Sequence, residues 1–410
     1  VKRLLPESDS RGDWPRLTAQ IVNRLAKDAP GDGLVFVNSP SDLPPADSGV
    51  RTLLDNTAYY FTTTVDLQGD RLVAGANTVI LGSSSENCRI KSTGLTGSAL
   101  VTSEWSLPMR GITLEADVAL DLDATANANQ ALDWFGVNFT DCATVGTIAS
   151  YGNVIWTDCA LLNSAGLTFD GTIGTVGFNS CIFDGRTGAT TITLPATLTI
   201  TRRFRAIYSA FVSLSGETAI NASTSATIPV EGYILDTVNF SGGGTYTSGI
   251  LSNDNKALWI NCRGITNSDS VATMYMQSNA TATTIGATGT PVKVAGTTTA
   301  GANNQRFSHS SNRLTYDGAR DRDFFVIGTG SLTNGTANNE YGLYIYKNGS
   351  AIVESEQYLT ANASGRVENF TIQSIVPLSE TDYIEVWIEN ITAANSATIS
   401  FLNVIATPVT

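Results

Sequence analysis

Carboxylates recur along the first half of the chain. Glu115, Asp117, Asp121 and Asp123 crowd one stretch, and Asp141, Asp158, Asp170 and Asp184 follow at intervals. Two carboxyl groups held either about 5 Å or about 6.5–9.5 Å apart are the machinery of glycoside hydrolysis. The same residues can do simpler work. Asp141 and Asp158 belong to a repeated phrase, Thr-Asp-Cys, and Asn87, Ser180 and Asn261 stand in the acid's place before Cys88, Cys181 and Cys262. A corner residue needs only a short hydrogen-bonding side chain, so these acids are read as turn formers. EADVALDLDATANAN offers carboxylate and amide oxygens to calcium, but it holds no D-x-D-x-D-G loop. His309, the one histidine, lies among Ser308, Ser310 and Ser311 and reads as a solvated junction residue rather than a triad member. No P-loop or dinucleotide fingerprint is present, so no catalytic residue, metal or cofactor is assigned.

All five cysteines, Cys88, Cys142, Cys159, Cys181 and Cys262, follow Asn, Asp or Ser. Spacings of 17 and 22 residues between Cys142, Cys159 and Cys181 match no C-x-x-C pair, and an odd number is a poor disulfide framework. A zinc site needs Cys or His ligands closer together. Free Cys behaves as a small buried hydrophobe, and a period of about 20 residues is that of a solenoid. The cysteines are read as markers of successive rungs.

The elements that would position these groups are mainly β. The chain has 410 residues, 42% hydrophobic and 15% charged, with a net charge of −13. That balance argues against nucleic acid and anionic membrane as partners, since phosphate binding needs clustered Lys and Arg. No apolar run is long enough to span a bilayer, and the first 30 residues lack the apolar core of a signal peptide, so membrane insertion and Sec export are not expected.

Residues 1–33 differ from the rest. Asp13 can cap a helix with Pro15 in its first turn, and Trp14, Leu17, Ile21 and Leu25 form one apolar stripe that needs a partner. The partner is a threefold set of copies, the β-domain behind it, or a larger assembly. Arg11-Gly12-Asp13 spells an integrin tripeptide, a match too short to carry weight. Residues 34–283 read as short alternating β-runs punctuated by Gly and Asn. A right-handed parallel β-helix fits this better than a β-sandwich. Residues 284–304 are small, polar and poor in anchors, hence a linker. Residues 305–410 form a second unit, with a hairpin turn at Lys347-Asn348-Gly349-Ser350 and a strand in which Ile384, Val386 and Ile388 face one way. The other face carries Tyr383, Glu385, Trp387 and Glu389, and Tyr383 and Trp387 make it a candidate subunit interface. Trp134, Tyr151, Trp156, Tyr246 and Trp259 are the candidate aromatic platforms for glycan.

NRLTYDGARDRDFFVIGTGSL, YGLYIYKNGSAIVESE and PLSETDYIEVWIENITAANSATISFLNVIAT occur in that order over roughly residues 305–407. Together they resemble the C-terminal jelly roll of tailed-phage fibre and spike proteins, which is similar to tumour-necrosis-factor and complement-type trimerising domains. The shared phrases are Thr-Tyr-x-Gly, an aliphatic strand ending in Lys-Asn-Gly, and Asp-Tyr-Ile-Glu-Val-Trp. Residues 69–124 also resemble phage structural proteins. The resemblance implies a homotrimer on the virion surface, made in the host cytoplasm. Its N-terminal segment would dock to a tail, portal or capsid protein, and its body would meet a host polysaccharide or receptor, binding glycan without cleaving it. A head fibre or capsid decoration protein is one alternative. A polysaccharide-cleaving tailspike using Asp117, Asp121 or Asp123 is the other.

Overall fold

The computed structural model describes residues 33–127, 129–229, 232–249, 258–265, 270–318 and 320–409. The expected N-terminal helix, with Trp14, Leu17, Ile21 and Leu25, lies outside the described residues. The chain divides into two compact units, Val1–Thr266 and Asn267–Thr410.

Among the described residues the first unit is a parallel β-helix of three sheets with ten, nine and eight strands. Each rung visits them in a fixed order. Asn153–Thr157 lies in the ten-stranded sheet, Ala160–Leu162 in the eight-stranded, Leu167–Asp170 in the nine-stranded, and Thr172–Asn179 returns to the first. Strands stack in register, so like positions form columns through the core. Trp134 pairs with Trp156 and Trp156 with Phe178; the two indoles stack at 4.9 Å. Phe183, Phe211 and Phe240 form a second column at 4.4 and 5.2 Å. Such contacts add to the burial of the rings themselves.

The corner between the ten- and eight-stranded sheets has two residues. The first is left-handed in seven rungs: Gly111, Gly136, Asp158, Ser180, Tyr208, Thr237 and Asn261 have φ between 51° and 61°. The second points inward, and Ile112, Val137, Cys159, Cys181, Ser209 and Val238 are buried there. Cys159, Cys181 and Cys262 occupy the corner's second position and Cys88 ends the longer connection 83–88 between the same two sheets; each of these four thiols donates to a carbonyl one rung back, on Trp134, Trp156, Leu235 and Phe61 respectively. Cys142 occupies the next corner, behind left-handed Asp141. All five are free thiols, four of them buried and Cys262 half-buried.

The second unit is an antiparallel jelly-roll sandwich. Its five-stranded sheet runs Thr299–Ala300, Ala272–Met276, Ala397–Pro408, Arg322–Asn334, Val367–Leu378. The facing seven-stranded sheet centres on Tyr383–Asn390 and Asn339–Lys347. Phe324, Val326, Leu402 and Val404 meet Leu343, Ile345, Val386 and Ile388 between them. The hairpin turn is as expected: Lys347 pairs with Ser350, with Asn348 and Gly349 at positive φ. The expected boundaries are corrected. Ala272–Met276 pairs with Ala397–Pro408 and so belongs to the sandwich, not to a shaft ending at 283. Within 284–304, Val292–Lys293 pairs with Tyr383–Asn390 and Thr299–Ala300 with Ala272–Met276. These are short edge strands held by backbone pairing, so few apolar anchors mark them.

Burial pushes the Cys142 thiol up to about 11, so the nucleophilic thiolate is scarce at neutral pH. Native protein should therefore label slowly with thiol reagents at Cys88, Cys142, Cys159 and Cys181 at neutral pH, with the Cys142 rate still climbing through pH 9 instead of levelling off, and quickly once unfolded. Fast native labelling of Cys142 and Cys159 would contradict the stacking.

Candidate functional site

The five aromatic residues singled out from sequence do not form a platform. Trp134, Tyr151 and Trp156 have no exposed surface and Trp259 is also buried in the same core. Tyr246 is half-buried, tilted against Phe240 at 5.6 Å, and its hydroxyl accepts the Gly243 N–H. Alternation within ALDWF, NVIWT and ALWIN aims each indole inward.

A different tryptophan is exposed. A groove of about 640 Å³ opens on the outward face of the nine-stranded sheet, lined by Thr52, Val73, Thr102, Glu104, Asp121 and Asp123, with Trp105 at its side. Trp105 is 36% exposed. Its loop is fixed from several directions. The Ser103 hydroxyl accepts the Trp105 N–H at 3.1 Å, and the buried Tyr151 hydroxyl donates to the Trp105 carbonyl at 3.0 Å. Gln130 Oε1 accepts both the N–H and the hydroxyl of Ser106, at 2.7 and 2.8 Å. Burial raises the Tyr151 phenol far above its ordinary range, so this anchor stays a donor. Asp123 accepts the Thr125 N–H at 2.9 Å, whereas the Asp121 carboxylate has no hydrogen bond or ion pair among the described residues. The sequence does hold a signal for Trp105. In TSEWSLP it has polar neighbours on both sides and sits at a strand end, unlike the core tryptophans.

The remaining carboxylates disperse. Glu115, Asp117 and Asp141 line a smaller depression of about 230 Å³, where Glu115 pairs with Arg89 and Asp141 accepts from Asn163 Nδ2 at 2.7 Å. Asp158 borders a third hollow beside Ser84 and Glu86. Asp170 accepts from Gly171 N–H and the Thr197 hydroxyl at 2.7 and 2.6 Å. Asp141 and Asp158 are both left-handed corner residues. Among the described residues no three His, Cys, Asp or Glu side chains converge on a metal position. His309 shares a 2.8 Å hydrogen bond with Thr298, and burial lowers its pKa.

The sandwich has two unlike outer faces. On the seven-stranded sheet Tyr383 and Trp387 are half-buried and already partnered. Trp387 stacks on Tyr346 at 4.3 Å and donates to Glu385, and Arg313 lies 4.3 Å over Tyr383. Glu385, expected to face outward, is only 4% exposed and pairs with Lys293 at 2.7 Å. On the five-stranded sheet the outward positions carry no charge from Phe325 to Ser331, Asn369 to Ile375, Phe401 to Thr407, or Thr273 to Tyr275. There Phe325 and Ile375 are cross-strand neighbours, 38% and 58% exposed, beside paired Ile327 and Ile405, and Phe401 is 38% exposed.

No family model matches the chain, and no curated protein does. Among solved structures it superposes on the PRD1 vertex protein P5 at 12% identity, over 36% of this chain and 100% of that one, with a TM-score of 0.25. It superposes on the enzymatically active domain of bacteriophage CBA120 tailspike protein 4 at 8% identity, over 89% and 69%, with a TM-score of 0.23. The ORF18 protein of Geobacillus virus E2 gives 11% identity over 91% and 81%, with a TM-score of 0.26. These superpositions are loose, and the fold assignment rests on the strand registers themselves. No helix among the described residues is long and apolar enough to cross a membrane.

If Asp158 is a corner residue and not a catalyst, its carboxyl is dispensable but its backbone is not. Asp158→Gly should leave the urea midpoint unchanged or raised, while Asp158→Val should cost about 1–2 kcal/mol for holding a branched residue left-handed.

Proposed function

We propose that the protein is a trimeric virion surface fibre or spike that attaches the particle to the host cell surface by binding glycan. The observation that carries this reading is the C-terminal sandwich. The three phrases shared with phage fibre and spike domains fall on its strands Arg313–Tyr316, Asn339–Lys347 and Tyr383–Asn390, and the middle of one of its faces carries no charge and exposes Phe325, Ile375 and Phe401. Exposed apolar patches of this kind mark association surfaces. The interface between copies therefore lies on the five-stranded sheet, around Phe325, Ile375, Phe401 and Ile405, and not at Tyr383 and Trp387, whose partners lie within their own sheet. The N-terminal segment supplies the docking contact to a tail, portal or capsid protein.

Binding without cleavage is favoured at the groove. Glu104, Asp121 and Asp123 are all exposed to solvent, and none is enclosed between apolar walls as a catalytic pair would be. Reducing ends released from host polysaccharide, and lost in Asp121→Asn, would replace this reading with the cleaving one.

Light scattering should give three times the chain mass of 43.3 kDa. Phe325→Asp combined with Ile375→Asp should shift the protein toward monomer, and Trp387→Ala should not. A wild-type monomer would sink the assembly. Immunogold with an antibody against residues 305–410 should label intact particles. Gold at the tail tip supports a receptor-binding fibre, gold around the capsid a head fibre, and unlabelled particles would refute the virion reading.

A further inference from the structure

The geometry points to a linear, uncharged polysaccharide as the ligand of the groove beside Trp105, laid along the solenoid axis on the outward face of the nine-stranded sheet. This rests on the attachment reading for the choice of a host-surface glycan. The groove does not end at Asp121. Asp121 pairs with Thr147, Thr147 with Thr168, Thr168 with Thr193, Thr193 with Asn221, and Asn221 with Ser248. Each of these side chains points away from the core, between inward neighbours such as Leu120 and Leu122 or Leu167 and Phe169. Register thus builds one straight outward row of hydroxyl and amide groups, one per rung.

Neighbouring strands lie roughly 4.7–4.9 Å apart, so five steps from Asp121 to Ser248 extend the row by about 24 Å. That interval is close to the axial advance of one pyranose in an extended chain, so successive sugars meet equivalent groups. Ser, Thr and Asn both donate and accept, as sugar hydroxyls do. Ser248 already donates to Asn221 at 2.7 Å along the row.

Charge selects the class of glycan. From Val101–Ser103 to Thr245–Gly249 the strands of this sheet contain no lysine or arginine. Arg71 shares its strand and outward face with groove-lining Val73, but from Glu104 onward the charges along the path are carboxylates, Glu104, Asp121, Asp123 and Asp170. They accept hydrogen bonds from neutral sugars and repel uronate, sialate and phosphate. Trp105 supplies the apolar surface on which a sugar's C–H face stacks, and the bonds from Ser103, Tyr151 and Gln130 hold its loop in place before binding, which lowers the ordering cost.

The test uses full-length protein and labelled oligosaccharides of four to ten residues, with neutral hexose and 6-deoxyhexose chains on one side and polyuronate and polysialate chains on the other. Neutral chains should bind, more tightly with length, and with little change between low and physiological salt. Trp105→Ala should weaken binding at least tenfold, with Trp105→Tyr restoring part of it. Thr168→Lys, at a half-buried outward position two rungs along the row from Asp121, should weaken the longest chains and spare the shortest. Anionic chains binding in preference, or neutral chains binding Trp105→Ala as well as wild type, would overturn this inference while leaving glycan attachment standing. No binding to any chain, with particles that still need the protein to adsorb, would overturn both the inference and the glycan reading.

Discussion

The body of this protein depends on a left-handed corner repeated rung after rung. In seven rungs the chain leaves the ten-stranded sheet by turning within two residues, and the first of them takes positive φ, a conformation that costs most L-residues about 1–2 kcal/mol. The corner N–H groups offset that cost by forming their own ladder. Those of Gly111, Gly136, Asp158, Ser180, Tyr208 and Thr237 donate to Phe135, Thr157, Asn179, Ile207, Asp236 and Ile260, all at 2.8–3.0 Å. A rung cannot leave this conformation without breaking bonds to both neighbours, which is how even branched Thr237 is held at φ 53°.

The corner also explains the cysteines. A residue behind it enters the core beside the backbone of the previous rung, where space is small and a carbonyl is near. A thiol fits that space and donates weakly to the carbonyl, while Ile112, Val137 and Val238 fill equivalent places without a donor. The cysteine pattern is thus a packing pattern, and Asp141, Asp158, Ser180 and Asn261, which precede four of the thiols, take the left-handed turn that such short polar residues tolerate.

Much of this was legible in the sequence because it repeats. The period, the corner residues and the inward alternation gave the β-helix, and Asn348-Gly349 with its flanking strands gave the hairpin of the second unit. What sequence did not reveal depends on lateral register. Trp134, Trp156 and Trp259 are aromatic and plentiful in polar surroundings, so they looked available, but alternation within a strand turns them inward. Trp105 was overlooked although its strand-end position frees it. The outward row from Asp121 to Ser248 draws on strands 127 residues apart in sequence, and nothing local connects its members. The edge strands in 284–304 were missed for a related reason: they are specified by the partners they pair with, not by their own composition.

The sandwich uses its two faces differently, and the difference follows from where charge can be satisfied. Glu385 is buried on the outer side of its sheet, a costly position for a lone carboxylate, and it is tolerable because Lys293, Arg313 and the Trp387 indole N–H all converge on it. A face whose charges and rings are already bonded to one another gains little by covering them with a second copy. The five-stranded face has the opposite character. Between Phe325 and Ser331 and on the matching stretches of its neighbours, the outward positions hold no charge to desolvate, and Phe325, Ile375 and Phe401 leave apolar area in water that only another surface can remove. The groove and the threonine row lie on the other compact unit of the chain, so association and ligand binding draw on different residues.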